Sequence, residues 1–286
     1  MRLFALLLLT TVLARATLSP EETARVRDLL RDRKVGAAEI AANAVIAAHP
    51  AEAEAHALLA LALIAKGDAD AAVSASEKSA ALAPANSEIQ RQLGDTYGFA
   101  AQKAGMFGKI SYAKKCRLAY EKAVELDPKN VAAHNSLMAF YQMAPGMMGG
   151  GMDKAYEQAA IIKQLDAARG RLAYASVYAA DKKYDLAFAE FEQVLRTSPD
   201  DYSALYQIGK IAATSGQALD RGLAALHRCL ELPVASGAPS HAAAHWRIGN
   251  ILEKQNDSAG ARRAYETALQ LDPQFSQAAD SLKKLP

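Results

Sequence analysis

The sequence predicts an all-α fold, an array of about seven helical hairpins closed by one further helix, and two observations carry that expectation. The first is the stretch 245–273, which reads as two amphipathic helical patterns joined by the turn residues Asn256 and Asp257. His245, Ile248, Gly249 and Leu252 mark the first helix; Ala261, Tyr265 and Ala268 mark the second, and Pro273 follows it. Small residues sit where two helices must approach closely, and large ones fill the gaps beside them. Pro273 stops the second helix because it has no N–H to donate and disfavours helical backbone in the residue before it. The second observation is that these columns recur along the chain with a period near 34 residues. Units that repeat in this way stack and bury one continuous core.

Taken in order, the chain opens with Met1-Arg2, an apolar run from Leu3 to Leu13 and then Ala14-Arg15-Ala16, the three parts of a secretory signal peptide. The run is too short to span a bilayer, and no Cys follows the small-residue site to take a lipid. The expectation is cleavage after Ala16, export to the periplasm or the medium, and no stable membrane anchor; the alternative is an uncleaved N-terminal helix. Residues 1–16 are thus read as signal peptide and 17–286 as the solenoid domain. Ser19-Pro20-Glu21-Glu22 then has the form of a helix start, with Ser19 as cap, Pro20 in the first turn and Glu22 able to reach back. The first hairpin runs to Pro50 with a turn at Val35-Gly36, and matches the template only weakly, as a terminal unit does.

The second hairpin ends at Pro84, 34 residues on, with His56, Leu59, Ala60, Leu63, a Gly67-Asp68 turn, Ala72, Ser76 and Ser79 in the template columns. The third carries Gln90, Leu93, Gly94, Tyr97, Cys116, Tyr120, Ala123 and Pro128, which makes it ten residues too long. Gly105 and Gly108 punctuate the excess, so both helices are expected to lengthen by about a turn and a half around a new tip. The fourth has His134, Leu137, Met138 and Tyr141, then a Pro145-Gly146-Met147-Met148-Gly149-Gly150-Gly151-Met152 loop in place of a tight turn before Ala155, Ala159 and Ile162. The fifth (Tyr174, Ala175, Tyr178, Ala187, Phe191, Val194, Pro199) and sixth (Ile208, Gly209, Ala212, Leu226, Cys229, Pro233) are regular. A Pro-, Gly- and Ser-containing link over 234–240 forbids helix before the template unit, and 274–282 reads as a closing helix through Phe275, Ala278 and Leu282.

These columns resemble the tetratricopeptide repeat, whose signature is a bulky residue, Leu-Gly, Tyr, Ala, Phe, Ala and Pro over about 34 residues. The resemblance covers residues 19–286. It implies a right-handed α-solenoid with first helices lining a concave surface, and it is almost silent on function, because the signature residues are those that pack helices together. The lengthened third hairpin, the glycine-rich loop and the link before the last unit also resemble a group of exported bacterial repeat proteins without assigned chemistry.

Chemistry is sparse. Removing residues 1–16 takes away Arg2 and Arg15 and no acid, which leaves Lys+Arg equal to Asp+Glu at 31. A balanced chain offers no electrostatic footprint for nucleic acid or an anionic membrane. Cys116 and Cys229 lie three units apart in columns that elsewhere hold Ala, so they read as small buried residues rather than a disulfide. His241 and His245 have metal-ligand spacing on one helix face. However, His56, His134 and His245 share one packing column, which leaves His241 without further ligands, so no metal site or cofactor is expected. No catalytic constellation can be placed, and Gly149–Gly151 is not a phosphate loop.

The expected function is therefore a non-enzymatic scaffold for a protein or peptide partner, with no nucleic acid. Two surfaces are candidates. On the concave face, Arg91, Asp95, Asn135, Gln142, Tyr206, Lys210, Trp246, Asn250 and Glu253 mix aromatic anchors with polar groups, which suits an extended or helical peptide. They depart from the two-Lys, two-Asn, one-Arg clamp by which chaperone-tail-binding members of the family hold a C-terminal Asp. Tyr206 and Trp246 share the fifth position of their helices and are expected on one wall; the competing reading packs Trp246 on Pro239 and the link. The other candidate is an apolar edge of Met106, Phe107, Met147, Met148 and Met152, whose competing reading is a loop packed on the long hairpin. Thioether binding of Cu(I) by Met143, Met147, Met148 and Met152 is the alternative function, and an enzyme with dispersed residues the weaker one.

Overall fold

The computed structural model describes residues 18–235 and 237–285, so the signal-peptide expectation for residues 1–16 lies outside the described residues. Among the described residues there are fifteen α-helices, one 3-10 turn and no strand, which makes the protein an all-α repeat solenoid. The helices pair as α1 (Pro20–Arg31) with α2 (Val35–Ala48), α3 (Ala53–Lys66) with α4 (Ala69–Leu82), and α5 (Ser87–Lys103) with α6 (Met106–Leu126). There follow α7 (Val131–Met143), the 3-10 turn Gly146–Met148, α8 (Met152–Leu165), α9 (Ala167–Ala180), α10 (Tyr184–Thr197), α11 (Tyr202–Ser215) and α12 (Leu219–Glu231). Last come α13 (His241–Lys254), α14 (Ser258–Leu271) and the closing helix α15 (Ser276–Lys284). The described residues form two compact units, divided between Ala133 and His134.

In the first unit the predicted capping box is present: Glu22 N–H donates to Ser19 Oγ at 3.2 Å and Ser19 N–H to a Glu22 carboxylate oxygen at 2.9 Å. Asp68 and Asn86 cap α4 and α5 in the same way, each accepting from a backbone N–H three residues on. The core is small-residue helix packing around Val26, Ala42, Val45, Leu58, Leu63 and Ala72. The third hairpin differs from the expected symmetric extension. At 17 and 21 residues, its helices exceed the 14-residue helices α3 and α4 by under one turn and by two turns respectively. The reason is that the tip lies at Ala104-Gly105, and Gly108 is helical: a Cβ there would come within 2.9 Å of the Ala104 Cβ, so glycine lets α6 start against the turn.

In the second unit one core joins α9 to α14 through Phe188, Phe191, Ile208, Leu226, Ile248 and Ile251. The glycine-rich loop folds back on the end of α7, with Gly150 N–H donating to Pro145 O and Gly151 N–H to Tyr141 O. A Cβ on Gly150 would fall 1.8 Å from the Ala144 carbonyl oxygen, so only glycine closes this loop. The described residues of the link, 232–235 and 237–240, are not helical, and Tyr202 Oη holds the link to the fold by donating to Pro239 O at 2.8 Å. The close approach expected at Gly249 is present: a Cβ there would lie 2.3 Å from Tyr265 Cε1.

Candidate functional site

The second unit carries a groove of about 490 Å³. Its walls are the first helices α7, α9 and α11, and Tyr184 and Phe191 of α10 form its floor. Gln142, Ser176, Ser203, Gln207, Lys210 and Thr214 supply its polar lining, with Leu172 and Ala180 between them. On α11, positions 203, 207, 210 and 214 follow one another at three- and four-residue steps, so they share the helix face opposite the packing columns. Gln142 and Ser176 lie within 3.5 Å of each other across the groove mouth. Among the described residues Lys210 has no ion-pair partner. Desolvation by the surrounding chain, followed by repulsion from the Arg247 guanidinium, lowers its pKa below the ordinary lysine value. Arg247, on the adjacent α13, likewise has no ion pair among the described residues; its guanidinium lies 4.1 Å from the Trp246 ring and its buried Nε has no hydrogen-bond partner there. Two cations are thus held near each other without a carboxylate paired to either.

The predicted concave-face residues separate into three groups. Gln142 and Lys210 share the groove, and Asn135 is exposed on α7. Tyr206 does not face the groove: it is 5 % exposed and belongs to the core of the second unit. The correction is one residue of helical phase, about 100°, which makes Gln207 the lining residue. The remaining positions are engaged in the repeats themselves. Arg91 lies between two carboxylates, with Nη2 2.6 Å from Glu88 and Nη1 2.6 Å from Asp95. Asp95 also accepts from Tyr120 Oη at 2.7 Å, and burial raises its carboxyl pKa. Asn250 accepts from Tyr265 Oη at 2.8 Å, and the same hydroxyl reaches Glu253. Trp246 has no exposed Tyr206 to pair with, since Tyr206 is buried. The Trp246 indole meets Phe275 edge to face at 5.8 Å and donates from Nε1 to Ser281 Oγ at 3.0 Å, closing α13 against α15.

Of the predicted apolar edge, Met106 and Phe107 form the exposed first turn of α6, while Met147 is exposed in the 3-10 turn with Met148 and Met152 half-buried beside it. Cys116 and Cys229 are free, buried thiols, and burial pushes each up to about 12. His241 is occupied with the Leu232 carbonyl at 3.0 Å and the Tyr202 ring. Among the described residues no three His, Cys, Asp or Glu side chains gather as a metal-holding group, and no helix is long and apolar enough to cross a membrane.

Stacked helical hairpins of this kind define the class of helical-repeat solenoids. Models of the tetratricopeptide repeat match residues 23–87 and 242–275. A tetratricopeptide repeat protein from Parabacteroides merdae superposes with a TM-score of 0.64 at 15 % identity over 92 % of this chain and 96 % of its own. A thermophilic member from Thermus thermophilus superposes at 0.54 and 18 % identity, over 73 % and 98 %. A chain of the APC/C hetero-tetramer Cut9–Hcn1 superposes at 0.58 and 14 % identity over 94 % of this chain and 49 % of its own. No curated protein is significantly similar in sequence. Residues 23–87 and 242–275 thus match the tetratricopeptide repeat, and the chain shares the all-α repeat-solenoid fold of these structures.

Proposed function

We propose that the protein is a non-enzymatic scaffold that holds an extended, acidic segment of a protein partner in the groove of α7, α9 and α11, and that it works outside the cytoplasm after cleavage behind Ala16. The observation that carries this reading is a groove with Lys210 on its α11 wall and Arg247 of the adjacent α13 close enough to repel that lysine, neither of them matched by a carboxylate among the described residues. An anionic group there would relieve their mutual repulsion and accept hydrogen bonds from the ammonium and guanidinium, contacts stronger than neutral ones. Ser176, Gln207 and Thr214 offer hydrogen bonds to backbone amides, and the Leu172 and Phe191 side chains take apolar contacts, so a peptide is held without any reacting group.

Peptides selected on the purified protein from a random library test the reading. The expected peptides carry a carboxylate, and their affinity falls at least tenfold on Lys210→Glu and on Ser176→Trp, which fills the groove. Peptides that bind both variants as well as the parent protein would refute the groove. Export is checked separately by sequencing the N-terminus of protein recovered outside the cytoplasm, with Thr17 as the expected first residue.

A further inference from the structure

The distal end of the α5–α6 hairpin presents a second surface, unrelated to the groove. Between Asp95 and Glu121 the chain has no acidic residue, while Lys103, Lys109, Lys114, Lys115 and Arg117 all fall there. The formal balance of the whole chain therefore hides a local basic end. Lys115 is paired with Glu77 at 3.3 Å and Arg117 with Glu121 at 2.8 Å. Lys109 and Lys114 are exposed and have no ion pair among the described residues, and Lys103 has the Phe99 ring beneath it at 5.7 Å. At the very tip, Met106 is 78 % and Phe107 87 % exposed, and Ile110, one turn further along the Met106 face, is 43 % exposed. Apolar and cationic side chains are thus interleaved within two turns of one helix start.

We propose that this hairpin end docks reversibly on an anionic lipid bilayer, with Met106 and Phe107 entering the boundary between headgroups and acyl chains and Lys103, Lys109 and Lys114 lying against lipid phosphates. A bilayer interface offers an apolar layer and an anionic layer within several Å of each other, which is the order in which the tip presents its own groups. It also needs no shape complement, and a two-residue turn at a hairpin end has no concavity to receive one. An acidic protein would have to supply both a pocket for Phe107 and carboxylates spaced around it. Lysines near an anionic surface contribute about 1 kcal/mol each, a factor of about five in partitioning, so three act together as a factor of about a hundred. The docking is peripheral and independent of the groove.

Co-sedimentation with phosphatidylglycerol-containing vesicles tests this. All variants are used after removal of residues 1–16, so the apolar run Leu3–Leu13 contributes nothing to vesicle binding. Binding is expected on anionic but not on pure phosphatidylcholine vesicles, to weaken with salt, and to fall about a hundredfold when Lys103→Gln, Lys109→Gln and Lys114→Gln are combined. Met106→Ser with Phe107→Ser should reduce it as well. A separate Phe107→Trp variant should gain emission that shifts to the blue and is quenched by brominated lipid, over the background of Trp246. Equal binding to neutral vesicles, undiminished binding by the lysine variant, or emission from the introduced indole that is insensitive to lipid would overturn the proposal. So would tip substitutions that spare vesicle binding and abolish only recovery of an acidic protein.

Discussion

Hairpins α13–α14 and α5–α6 are closed by the same device and end differently. In each, a glycine of the first helix receives a tyrosine ring of the second: a Cβ on Gly249 would lie 2.3 Å from the Tyr265 ring, and one on Gly94 2.4 Å from that of Tyr120. The hydroxyl is then tied to the residue after the glycine, Asn250 in one case and Asp95 in the other. Beyond this lock the two part. The first hairpin turns at once through Asn256, in the left-handed region at φ 62°, and both its helices have 14 residues. The second runs on, and its added turns present Met106, Phe107 and exposed lysines to solvent. Repeat columns therefore govern the part of a hairpin where backbones touch, and residues added past that part are released from packing to carry other groups.

The largest effect should come from breaking the lock. Gly249→Leu places a branched side chain against the Tyr265 ring and should cost on the order of 1–3 kcal/mol or more by overpacking, with hydrogen exchange rising first in α13 and α14 because neighbours hold an array together. Gly94→Leu should do the same in α5 and α6; a normal melting temperature in either variant would show that the two hairpins do not share the device. Removing only the hydroxyl is milder. Tyr265→Phe and Tyr120→Phe should each cost about 1 kcal/mol, the usual net worth of a hydrogen bond with a partner left behind, read by denaturant titration.

The α13 end should also be acid-sensitive. Burial, followed by the nearby His227 and His241, lowers the His245 pKa below the ordinary 6.5. The unfolded chain then binds the proton more readily than the folded one. Stability from this group is therefore full above about pH 6.5 and declines as pH falls from there through the lowered value. His245→Gln should flatten the melting temperature over that acid range. At the tip, by contrast, Gly105→Ser meets no atom within 4 Å and adds a side-chain cap to α6, so a gain of a few tenths of a kcal/mol is expected. A loss there comparable to Gly249→Leu would erase the contrast between lock and tip.

The hairpins, their order, the Ser19 capping box and the close approach at Gly249 are legible because each follows from local rules: period, cap chemistry and helix-stopping proline. The groove is legible only in part. Gln142 and Lys210 stand on it, but the sequence points to Tyr206 one residue out of phase, since aromatic character draws attention to a side chain that the core of α11 in fact buries. Asp95, Asn250 and Trp246 look available in the sequence because their partners, Tyr120, Tyr265 and Ser281, lie on other helices, and cross-helix register is not written in the spacing of either helix alone. The Ser203, Gln207, Lys210 and Thr214 spacing is the signal that could have found the groove. Asymmetric growth of the third hairpin is hidden by Gly108, which marks a close approach at the start of α6 rather than the turn.

The division between side chains consumed by packing and side chains left for binding is tested most directly by calorimetric titration of one library-selected peptide into four proteins: the parent, Lys210→Glu, Tyr206→Phe, and the combined Met106→Ser and Phe107→Ser variant. The expected result is a loss of at least tenfold in affinity for Lys210→Glu at an unchanged melting temperature, with the other two binding as the parent does. Full affinity in Lys210→Glu, or loss confined to the Met106 and Phe107 variant, would contradict the assignment of the groove.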